Sequence, residues 1–75
     1  MGQDTFLLKP TFHVRGKRHL AEIQAACSPL GLIHYEEKAA LEAANTMSLI
    51  DGVESVFVVR AVDVVRYVKG QVRET

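Results

Sequence analysis

Gly31 to Val59 reads GLIHYEEKAALEAANTMSLIDGVESVFVV, and this stretch decides the fold. After a glycine turn comes a short apolar run, Leu32 to Tyr35, in which Leu32 and His34 fall on one face of a strand and Ile33 and Tyr35 on the other. Glu36 and Glu37 then stand where acidic side chains favour the positive end of a helix dipole. Ala40, Ala43, Ala44, Met47 and Ile50 follow at helical spacing and predict one buried stripe. Gly52, after Asp51, is the expected C-terminal cap. Ser55 to Val59, SVFVV, is a continuous β-branched and aromatic run that suits a central strand covered on both faces.

Upstream, Thr5 to Leu8 is apolar enough to begin a strand, and Pro10 must sit at an edge, a bulge or a break. Thr11 to Arg15 alternates, with Phe12 and Val14 on one side, and reads as a half-buried strand ended by Gly16. Arg18 to Ser28 reads as a helix whose apolar stripe is Leu20, Ile23 and Cys27, widened by Ala26, and which is stopped by Pro29. Residues 61–75 fit two descriptions. Val62, Val64 and Val68 alternate as in a strand, whereas Asp63 suits the cap of a short helix burying Val64, Val65, Val68 and Val72. The helix is slightly favoured, because Arg66, Lys69, Gln71, Arg73 and Glu74 would then share a polar side. Met1 to Asp4 reads as a loose terminus.

Together these elements predict one small α/β (α+β) domain over residues 1–75, a β-α-β-α-β sandwich, ferredoxin-like or related. Its helices lie mainly on one face of a three- or four-stranded sheet. The expected core is Phe12, Val14, Leu20, Ile23, Ile33, Ala44, Met47 and Val56 to Val59. The other sheet face then needs cover, from the C-terminal segment or from another subunit.

Seventy-five residues make a marginal domain, since a chain this short buries only about 60% of its unfolded surface. The single Cys27 excludes an intrachain disulfide, so a homo-oligomer is the expected support. Nine basic residues balance nine acidic ones; a nucleic-acid binder would carry a basic excess, so none is expected as partner. No apolar run is long enough to span a membrane. Phe6 fills the position where myristoylation wants Ser or Thr. A lone cysteine and no visible signal peptide fit a cytoplasmic protein.

Arg15-Gly16-Lys17-Arg18-His19 lies at a strand-to-helix turn, where backbone amides and a helix N-terminus favour an anion. It is the best ligand-site candidate in the chain, for a small anion. One glycine is not a phosphate-binding loop, however, and a basic turn that is solvated or paired with a neighbour's acidic groups explains the same residues. His13, His19 and His34 lack a metal-ligand spacing, and no metal or cofactor is expected. Cys27, on an apolar stripe, reads as an inert core thiol. No nucleophile, base and stabiliser can be assembled, so the chain is not expected to be an enzyme. Ala39, Ala40, Ala43 and Ala44 either pack a helix closely on the sheet or, in part, make a flat contact between subunits, for which Ala39, Ala40 and Ala43 are the candidates. Tyr35 and Tyr67 are amphipathic and rigid, as interface residues often are, and ordinary semi-buried packing explains them equally.

Three segments carry a family resemblance. Gly31-Leu32-Ile33, then Glu42-Ala43-Ala44-Asn45-Thr46-Met47, then Val53-Glu54 resemble the strand, alanine-rich helix and strand of bacterial microcompartment shell proteins. Val14-Arg15-Gly16 and Glu22-Ile23-Gln24-Ala25 look like that family's second strand-and-helix unit. The order is permuted and the chain is shorter than a shell domain. Leu49 stands where the family has a lysine between hexamers, and no glycine-rich pore loop is present. The resemblance implies a self-assembling structural protein. The helix-to-strand junction Asp51 to Val56 also looks like that of small ferredoxin-like sensor domains, which implies a regulatory or ligand-binding module.

Overall fold

The computed structural model describes residues 5–60 and 62–70. Seven elements follow one another: β1 (Phe6–Phe12), α1 (Lys17–Cys27), a 3-10 turn (Ser28–Leu30), β2 (Ile33–His34), α2 (Glu37–Ser48), β3 (Val53–Arg60) and β4 (Asp63–Lys69). The four strands form one antiparallel sheet in the order β2-β1-β3-β4. Since β2 and β3 are each antiparallel to β1, they run parallel to one another, and α2 bridges them across β1. Both helices pack on the same sheet face, as the sequence predicts: Ile23 and Cys27 of α1 share one core with Ala40, Ala44 and Met47 of α2. The sheet supplies Phe6, Leu8, Val53, Val56, Val58 and Val68 to that core.

Several expectations need correction. β1 is one strand through Pro10 that ends at Phe12, so Val14 lies beyond it and is 42% exposed. Pro10 is tolerated because β2 is only two residues long and stops short of it. Leu8 turns its N–H toward β2, donating to Leu32 O at 2.8 Å. By alternation Pro10 faces the same side, where the missing N–H has no strand to serve. The α-helix does end at Cys27, before Pro29, as the sequence predicts. The helix tightens into a 3-10 turn with the proline in its first turn. α2 ends at Ser48, short of the expected cap, and Ser48 Oγ donates to Asn45 O at 2.7 Å. Gly52 serves instead as the left-handed turn into β3, with φ 98°.

The favoured C-terminal helix is also overturned, because Asp63 to Lys69 is strand β4, paired along β3. An isolated short helix is marginal in water, whereas the open edge of β3 offers partners for the backbone of a valine-rich segment. Asp63 therefore caps no helix; its Oδ2 accepts from Arg60 Nη2 at 3.4 Å across the hairpin. The expected burial of Val72, the polar-side assignments of Gln71, Arg73 and Glu74, and the loose Met1 to Asp4 lie outside the described residues.

Finally, β3 is central, but the described elements cover it on one face only. Val56 and Val58 are fully buried under the helices, while Phe57 and Val59 point to the other face and are half-buried. Ile33, expected in the core, also lies on that outer face and is 54% exposed. Leu20 is half-buried and Phe12 packs against the core's margin.

Candidate functional site

The basic turn folds as a depression lined by Arg15, Gly16, Lys17, Arg18, His19, Glu22 and Asp51. Gly16 N-caps α1 without a side-chain hydrogen bond, and the first helical turn holds no acidic residue. Asp51, from the α2–β3 turn, supplies the missing negative charge. Its two carboxylate oxygens each accept from Arg15 Nη2 at 3.3 Å. The Arg15 backbone N–H donates to His19 Nδ1 at 3.0 Å. That bond assigns the neutral ring's proton to Nε2, which faces Asp51 Oδ2 at 3.5 Å, an ion-pair distance without hydrogen-bond geometry.

Gly52 makes this arrangement possible. A Cβ there would overlap Ile23 Cδ1, approach Ile23 Cγ1 to 2.8 Å and touch His19 Cε1 at 3.0 Å. The backbone must pass bare beneath α1 for Asp51 to reach the turn. The five predicted residues are thus brought together, but sequence reasoning missed the two carboxylates beside them. Three cations and two carboxylates share the depression, and the charge offered to an anion is correspondingly small.

The predicted interface residues are scattered. Ala40 is fully buried between α2 and the sheet and has no surface to offer a neighbour, which corrects its assignment; Ala39 and Ala43 are half-buried. Ala40 and Ala44 serve the close packing of helix on sheet instead. Tyr35 is exposed in the loop after β2, and Tyr67 stands on β4. His13 and His34 lie near opposite ends of β1, because Phe6 pairs with His34. Among the described residues no three His, Cys, Asp or Glu side chains gather as metal ligands. Cys27 is buried, and burial pushes its thiol above the ordinary range.

The second surface is the sheet face away from the helices, where strand register arranges the side chains in rows. Ile33, Leu7, Val59 and Val64, one from each strand, make an aliphatic row across the sheet. Beside it run Lys9, Phe57 and Tyr67, then Thr11, Ser55 and Lys69. The Phe57 and Tyr67 rings sit 4.6 Å apart at 45°, inside the range of favourable aromatic pairs. Thr11 Oγ1 and Ser55 Oγ share a 2.6 Å hydrogen bond that satisfies the buried serine. No described element covers this face. Leu7 is 37%, Tyr67 51% and Val64 56% exposed. Only the partner strand pattern, not composition, signals it: Leu7, Phe57 and Val59 stand at outward positions where a wet sheet face would carry polar residues.

Comparisons of the chain with protein-family models, curated proteins and solved structures give no match. Among the described residues no helix is long and apolar enough to cross a membrane.

Proposed function

We propose that this chain is a non-catalytic, self-associating interaction domain whose open sheet face is the surface through which copies meet. One observation carries this: four apolar side chains from four strands stand in a row on a face that no described element covers. Apolar surface removed from water stabilises by about 25 cal/mol per Å². Here the described elements leave that gain for a partner to complete. Of the C-terminal segment, the other candidate for cover, Asp63–Lys69 form β4 within the sheet.

Assembly into a microcompartment-shell-like layer is the finer form of this function, prompted by the resemblance of the Gly31 to Glu54 segment. Ala39, Ala43 and Tyr35 remain accessible for its lateral contacts. The buried lone Cys27 suits a reducing, cytoplasmic setting. A regulatory anion-binding module is less well supported, because Asp51 already engages Arg15 and partly occupies the turn electrostatically.

Light scattering on a sizing column across a concentration series tests the proposal. A mass that rises to a multiple of the monomer supports it. A monomer at millimolar concentration, with a melting temperature that phosphate or a nucleotide raises, would replace it with the anion-binding function.

A further inference from the structure

Both edges of the sheet are blunted, and its open face is not. Along β1, the stretch past β2 exposes Pro10, which has no N–H to give. Along β4, Val65 has no register partner, because Val58 pairs with Arg66 and Val59 with Val64. A proline and a bulge at sheet edges are devices that oppose strand-to-strand pairing. The face, by contrast, carries an uninterrupted aliphatic row.

Resting on the self-association proposed above, we infer that two copies stack sheet on sheet about a two-fold axis that runs along the strands between β1 and β3. The strand order makes the face self-complementary under that operation. With the order β2-β1-β3-β4, rotation lays β1 on the partner's β3 and β2 on the partner's β4, with each row on the same row. Leu7 then meets the partner's Val59, and Ile33 meets the partner's Val64, aliphatic on aliphatic. In the next row Lys9 lies over the partner's Phe57, beside Tyr67, so its ammonium meets an aromatic face rather than another lysine. Lys69, in the third row on an edge strand, falls at a corner of the stack, far from its own mate. The geometry is that of aligned sheet packing.

The footprint sets the strength. The seven-residue β1 and β4 and the eight-residue β3, flanked by the two-residue β2, make a face of at most about 15 by 20 Å. This lies well below the ~800 Å² per partner of a standard interface. The dimer is therefore expected to be weak and concentration-dependent.

Charge reversal across the proposed contact tests it. Leu7→Glu and Val59→Lys are made in separate chains, each checked for a native circular dichroism spectrum and a cooperative melt. Sedimentation equilibrium is expected to show each variant dimerising at least about tenfold more weakly than the parent, and the 1:1 mixture forming a heterodimer. Ile33→Lys with Val64→Glu, at positions more than half exposed, repeats the test should the first pair fold poorly. A parent that dimerises while either variant dimerises equally well, or while the mixtures stay monomeric, overturns the face-to-face pairing and leaves self-association standing. A parent that stays monomeric throughout overturns both. A parent that stays monomeric yet binds an acidic amphipathic helical peptide, with loss of binding on Lys9→Glu, assigns the face to an acidic partner instead of a second copy.

Discussion

The two faces of this sheet carry similar side chains and meet different fates. On the helix side Val53, Val56 and Val58 are fully buried, closed over by Ala40, Ala44 and Met47. On the other side no described element covers Leu7, Phe57, Val59, Val64 and Tyr67. The alanines explain the first face, because small side chains let α2 lie close to the sheet, so that even the modest core of a short chain excludes water. What the contrast teaches is that burial here is set by which elements have a helix to cover them, not by hydrophobicity alone. The open face holds apolar surface that the chain cannot cover from its own described elements.

Substitutions on the two faces should therefore separate stability from assembly. The largest effect is expected at Met47. Met47→Ala opens a cavity in a site with no exposure and should cost about 2–5 kcal/mol, read as a lower denaturant midpoint; a loss near zero would mean that the helix-side core is loosely packed. Gly52→Ala comes next. It combines a left-handed φ with overlap on Ile23 and is expected to cost about 2–3 kcal/mol. It should also detach Asp51 from the basic turn, seen as a shift in the His19 ring resonances.

On the open face the ordering reverses. Tyr67→Ala removes the pair with Phe57 and should lower monomer stability by only about 1 kcal/mol, while weakening self-association severalfold. If the monomer lost as much stability as with Met47→Ala, the two faces would not differ in kind. The smallest effect is expected at the turn: Asp51→Asn breaks an ion pair whose partners are both about half exposed. The change should be between zero and about 1 kcal/mol and vanish in high salt. Cys27 gives a pH test of the covered face. Burial raises its pKa, so the folded state holds the thiol neutral. Its contribution is complete below the unfolded thiol's pKa and fades as pH rises through the folded value. Cys27→Ala should flatten that alkaline decline.

Much of the fold was legible locally. The stripe through Ala40, Ala44 and Met47, the stripe through Ile23 and Cys27, and the strand at Ser55 to Val59 each follow from periodicity within one segment. The basic turn was legible as a cluster because its five residues are consecutive. Asp51 was not, since it is brought to Arg15 from 36 positions away. Val14 and Ile33 misled for the same reason. An apolar residue in an alternating run looks inward until the strand's end and its covered side are known.

By itself, then, the sequence determined the types of the elements through β3, the absence of an intrachain disulfide, and the face of each helix that turns inward. These depend on spacing along the chain and on side-chain chemistry. Only the tertiary structure decided that residues 63–69 form a strand rather than a helix, because the choice rests on the open edge of β3, which no local window contains. It alone decided which sheet face the described helices leave uncovered. Alternation tells that a strand has two sides, but which side receives the helices is a property of how the crossover from β2 through α2 to β3 passes over the sheet.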